Sequence, residues 1–175
     1  MAAGATYEPI ATQTLASAAS TITFSSIAAS WTDLRLVMTG TLNTGTPAYY
    51  PALIFNSDAT SNYSCTYLAG SGTAASSSRI TSRSWLDCTA GGGWSLTIPS
   101  MLVVDIFSYA GSTNKTVLMQ NSNDFNGSGS VESDVGLWRS TAAITSIKIQ
   151  VYNATAGYQF AIGTTATLYG IKNSL

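Results

Sequence analysis

The feature that most constrains this chain is hydrophobic alternation with a period of two. Ile147, Ile149 and Val151 alternate with Lys148, Gln150 and Tyr152, and Leu34, Leu36 and Met38 with Arg35, Val37 and Thr39. Ile22, Phe24 and Ser26 stand against Thr21, Thr23 and Ser25 in the same way. Successive strand side chains point to opposite faces, so each run reads as a strand with one buried face. Leu, Lys, Glu and Arg rarely recur at three-four spacing, which leaves no ten-residue window outside the Ala-rich patches for an amphipathic helix. Further strands are expected at residues 52–56, 63–68, 115–121 and 167–172, with turn-rich segments at 43–47, 70–78, 90–93 and 121–130.

Residues 101–107 (MLVVDIF) depart from the alternation. A nearly continuous apolar run predicts a strand covered on both faces, in mid-sandwich or at a subunit contact. Asp105 interrupts it, and a carboxylate there needs donors, for which a backbone amide pair or Arg139 is the expected source. Eight or nine short strands separated by turns imply an all-β fold, a single β-sandwich or jelly-roll-like domain over residues 1–175, with residues 1–6 as an extended N-terminal arm. The Gly/Ser-rich stretches at 70–78 and 126–130 read as surface loops of that domain, because strand-like sequence continues on both sides.

Charge narrows the function. Charged residues are only 9% of the 175 residues, against about 25% in ordinary soluble domains. Ser, Thr, Asn, Gln and Gly must supply the polar surface, which suits a protein packed against copies of itself or a partner. Seven basic and eight acidic residues give a net charge of −1, with no Lys/Arg cluster. Nucleic acid and anionic membrane are therefore not expected partners. Residues 1–10 lack the basic and apolar regions of a signal peptide, so synthesis in the cytoplasm is the expectation. Cys65 and Cys88 match neither a zinc-ligand nor a redox spacing and read as small buried apolar residues, with a late disulfide as the alternative.

Catalysis finds little support. The chain has no histidine, which removes the usual general base, the commonest metal ligand and every Ser-His-Asp or Cys-His arrangement. Glu132 and Asp134 stand two apart, on one face of a strand, without the facing separation that a glycosidase pair needs. Residues 122–127 (SNDFNG) resemble part of a calcium loop, but Ser122 and Ser133 occupy the positions of its anchoring carboxylates, so an Asx turn at Asp124 is expected instead. No catalytic residue, cofactor or metal is assigned. Among four tryptophans, Trp85 and Trp94 flank the glycine-rich turn at 90–93 and are the candidates for stacking on a sugar ring in a glycan-binding alternative.

Several stretches resemble a known family. They are Tyr7-Glu8-Pro9-Ile10-Ala11-Thr12-Gln13-Thr14-Leu15, Trp31-Thr32-Asp33-Leu34-Arg35-Leu36, Asp105-Ile106-Phe107-Ser108-Tyr109, Gly136-Leu137-Trp138-Arg139-Ser140-Thr141 and the closing Leu168-Tyr169-Gly170-Ile171-Lys172. The set resembles tailed-bacteriophage virion structural proteins across nearly the whole chain, departing from them at Ala28 and Ala29, where a proline-bearing turn is common, and at the two cysteines. The resemblance implies a particle component without catalytic content, either a capsid cement (decoration) protein or a tail-associated one. The absence of heptads or a fibrous repeat favours cement over a tail fibre or adhesin. The expected partners are further copies, as a closed cyclic trimer, and the major capsid protein, with the protein residing on the capsid surface; a host surface glycan is the partner in the alternative. The first candidates for intersubunit contact are Tyr7, Pro9 and Ile10 in the N-terminal segment and Met101, Val103 and Phe107 in the apolar run.

Overall fold

A computed structural model describes residues 6–44, 49–89, 92–152 and 157–172. The described residues contain no helix and form twelve strands: β1 (Tyr7–Thr14), β2 (Thr21–Phe24), β3 (Asp33–Gly40), β4 (Pro51–Phe55), β5 (Tyr63–Gly70), β6 (Ala75–Arg83), β7 (Leu86–Asp87), β8 (Ser100–Ile106), β9 (Lys115–Asp124), β10 (Gly129–Trp138), β11 (Ile147–Val151) and β12 (Thr165–Ile171). Eight pair antiparallel in the order β1-β12-β3-β8-β9-β10-β5-β6, and four in the order β2-β11-β4-β7. The two sheets form a β-sandwich, as the alternation predicts.

One cluster of apolar side chains fills the space between them. Leu34, Leu36 and Met38 of β3, Leu102, Val104 and Ile106 of β8, and Ala166 and Leu168 of β12 enter it from the large sheet. Ile22 and Phe24 of β2, Leu53 and Phe55 of β4, and Ile147, Ile149 and Val151 of β11 enter from the small one. The phase of every alternating run is thus set by which side chains can leave water together.

Four expectations need correction. The run at 101–107 is not covered on both faces: Leu102, Val104 and Ile106 are buried, while Met101 and Phe107 are among the exposed apolar residues. Burial at every position is found instead in the small sheet, along the five residues of β4 and the two of its neighbour β7. Asp105 takes neither amides nor Arg139; its cross-strand neighbour Arg35 donates from Nε to Oδ1 at 2.5 Å and from Nη2 to Oδ2 at 2.7 Å. The segments at 70–78 and 121–130 are largely strand, closing into the β5–β6 and β9–β10 hairpins with turns of four residues, 71–74 and 125–128. Residues 1–5, 45–48 and 90–91, which include most of the expected arm and parts of two expected loops, lie outside the described residues.

Candidate functional site

Strand β10 runs against the usual pattern. Its interior positions are Glu132, Asp134, Gly136 and Trp138, and its exposed ones include Val131 at 64% and Val135 at 52%. Two acids thus point inward and two valines outward. The phase follows from the far end of the strand, where Trp138 packs between Phe55 and Tyr63 and its indole N–H reaches Asp58 at 2.8 Å. A second constraint is Gly136, where a Cβ would come within 2.5 Å of Leu86 Cδ1. Slipping by one residue would eject the tryptophan and drive Leu137 into Leu86, so the register is fixed and the acids follow it inside.

The outward valines belong to a continuous surface with few charges. Across the large sheet, Val131 lies in register with Ser122 and Gly70, and Ser133 with Gln120 and Leu68. Val135 faces Leu118 and Thr66, and β8 adds Met101 beside Ser122 and Val103 beside Gln120. Leu68 is 59% exposed. A groove of about 520 Å³ lies here, bordered by Leu68, Met101, Gln120, Ser122, Val131 and Ser133. Arg35 is paired with Asp105 on this face, whereas Arg79 at the β6 edge keeps its charge, its Nη1 donating to Thr66 Oγ1 at 2.8 Å. Apolar and hydroxyl-bearing side chains in one sheet face are able to bind another uncharged protein surface with little desolvation cost.

Two of the expected contact residues, Met101 and Val103, lie on this face. Tyr7 and Pro9 lie at its β1 margin, where the Tyr7 ring stacks on Tyr169 with centroids 4.7 Å apart. Ile10 turns away: the pairing of β1 with β12 shifts between Pro9 and Ala11, and its side chain packs against the core. Phe107 stands exposed just beyond β8, its N–H bonded to Thr116 O at 3.2 Å. The alternating exposure of Val131, Ser133 and Val135 was missed in the sequence, because two acids between valines look like the solvent side of a strand.

The tryptophans separate. Trp94 is fully buried, donates its indole N–H to Asn121 Oδ1 at 2.9 Å and meets Phe160 edge-on, so it has no face to offer a sugar. Trp85 is half-buried and donates to Asp87 Oδ1 at 2.8 Å, with the Arg83 guanidinium over its ring and Tyr152 at its edge. Tyr50 stacks on Tyr152, and Tyr49 on Tyr158, so these rings occupy one another's faces and brace the loops that carry them.

Behind β10 lies a buried polar row. Glu132 accepts from Thr89 Oγ1 at 2.6 Å, and Asn123 Nδ2 donates to Gly93 O at 3.0 Å, tying the chain around Trp94 to the sheet. Asp87 accepts from Tyr50 and Trp85 and lies 3.2 Å from Arg83 Nε. Among the described residues Asp134 has no hydrogen-bond partner on either oxygen; burial first, then the charges of Glu132 and Asp87, pushes its carboxyl up to about 7. Cys65 and Cys88 are buried free thiols, and burial followed by the Asp134 charge pushes Cys65 up to about 12, which makes it a poor nucleophile. At the hairpin tip, Asp124 Oδ1 accepts the Asn126 N–H at 2.6 Å, the expected Asx turn. No family model, curated protein or solved structure matches the chain.

Proposed function

We propose that this chain is a non-enzymatic structural component of a tailed-bacteriophage virion, acting as a capsid cement protein that stabilises the assembled head. The observation that carries the reading is the inverted strand β10, which sets Val131 and Val135 on the solvent side at the cost of burying Glu132 and Asp134. A sheet face with few charges, broad and partly apolar, suits repeated docking against other subunits. The family resemblance of the sequence supplies the setting.

The topology supports the same reading at the level of the fold. With the β5–β6 and β9–β10 hairpins set aside, β1-β12-β3-β8 opposes β2-β11-β4-β7. The chain crosses between sheets at every step of this frame except β4 to β7. That is the strand order of a jelly roll, an architecture found in viral shells and lectins, and the two inserted hairpins widen one sheet into the proposed docking face.

Cement acts by mass action. A protein that binds the assembled lattice and not its separated subunits shifts the equilibrium toward the intact shell, and many modest contacts add up. The test is to add the purified protein to heads that lack it and follow DNA release on heating. The reading requires a higher release temperature and saturable binding; heads that neither bind the protein nor gain stability would refute it, and binding to tails or to host glycan alone would move the function to an adhesin.

A further inference from the structure

The large sheet has two edges, β1 and β6, and they are built differently. Pairing at β1 is blunted by Pro9, which lacks an N–H, by the charge of Glu8 and by the irregularity between Pro9 and Ala11. β6 has neither proline nor bulge along residues 75–80, and its only charge there is Arg79; its register with β5 is unbroken from Ala75↔Gly70 to Ile80↔Cys65. Its side chains are exposed on both faces at residues 75–79. Among the described residues it is held by one neighbour and covered on neither face, which makes it the least supported element of the sandwich.

Ladder geometry says which backbone groups face outward. The turn bond from Ser71 N–H to Ala74 O, 2.9 Å, makes Ser71 and Ala74 a hydrogen-bonded pair. Alternation along an antiparallel ladder then gives Ala69 with Ser76 and Tyr67 with Ser78 as the next bonded pairs. Ala75, Ser77 and Arg79 consequently turn their N–H and C=O groups away from β5.

We propose that two copies of this chain pair through β6 about a two-fold axis at Ser77, joining their large sheets into one. In that register Ser77 lies opposite the second copy's Ser77, and Ala75 opposite the second copy's Arg79, so all three outward residues form hydrogen-bonded pairs. The strand is self-complementary: residues 75–78 are Ala or Ser, so the side chains permit strand spacing, and the one cation falls opposite an alanine. The two Arg79 side chains stand four residues apart along the ladder, about 13 Å, at or beyond the Debye length in physiological salt. A second copy fits this edge better than β1 of another molecule does, because Pro9 and the shifted pairing interrupt the β1 edge. A two-fold contact closes on itself, whereas head-to-tail pairing would build rings or filaments. It also brings Leu68, in register with Ser77, close to the axis, so that two docking faces lie side by side.

The pairing does not depend on where in a particle the protein works, and purified full-length chain tests it. Sedimentation equilibrium should give twice the 18.2 kDa of the monomer. Ser77→Pro removes an outward N–H that β5 does not use, and Ser77→Lys sets two ammonium groups face to face on the axis. Each should weaken dimerisation at least about tenfold while leaving the far-ultraviolet circular dichroism unchanged. Glu8→Lys, at the opposite edge, should leave the dimer intact. A wild-type chain that stays monomeric at tens of micromolar or sediments as a trimer, a dimer that survives Ser77→Lys, or an assembly broken by Glu8→Lys would each overturn the proposal.

Discussion

Asp134 is the residue at which the fold works hardest against its own chemistry. A carboxylate without partners is costly inside a protein, and the group responds by holding its proton to about pH 7, far above its ordinary value of 3.8. The folded state therefore binds a proton that the unfolded state releases. The stability that the neutral carboxyl contributes is complete below about pH 3.8 and is lost as pH rises through about 7. Asp134→Asn should flatten the fall of the melting temperature between pH 4 and 8; a fall as steep as in wild type would place the titrating group elsewhere. Asp58 behaves oppositely. Burial would raise its carboxyl, but donation from Thr60, Asn62 and Trp138 outweighs it and holds the group well below the usual range, so its contribution disappears only on acidification. Tyr63 offers a second residue-scale test. Its hydroxyl accepts the Phe55 N–H at 3.0 Å inside the core, so Tyr63→Phe strands a buried donor and should cost about 1–3 kcal/mol by urea denaturation.

Individual strands differ in how openly the sequence announces them. β3 and β11 could be read directly, because one face of each meets the core and the other meets water or a loop. Ile149→Ala, inside β11, should cost about 2–5 kcal/mol as a core truncation. β6 was hidden because both its faces see solvent, and a serine-rich strand without an apolar side has the composition of a loop. β8 was misread for a related reason: Met101 and Val103 are as apolar as the core residues between them, and composition does not say which apolar face is covered. β10 concealed its phase most fully, since its order is set by Trp138 and Gly136 and not by its valines and acids. Two apolar residues of the candidate surface, Met101 and Val103, are therefore legible in the sequence, and three, Leu68, Val131 and Val135, are not. If the outward valines serve docking, Val135→Lys should change stability by less than about 0.5 kcal/mol yet abolish binding to heads. A large loss of stability would mean that Val135 supports the fold instead.

At the scale of the whole molecule, the same scarcity of charge that marks the sequence reappears as a large sheet whose outer face is sparsely charged and partly apolar. The β5–β6 and β9–β10 hairpins extend this face beyond the eight-strand frame, and β6 leaves it an open edge. These features suit the proposed role of a subunit that works through repeated contacts with neighbours, which a capsid would offer in the greatest number. The most direct measurement is labelling of intact particles with gold-conjugated antibody against this chain, viewed by negative-stain electron microscopy. Label distributed over the head is the predicted result; label confined to the tail, or absent from the particle, would contradict a cement function.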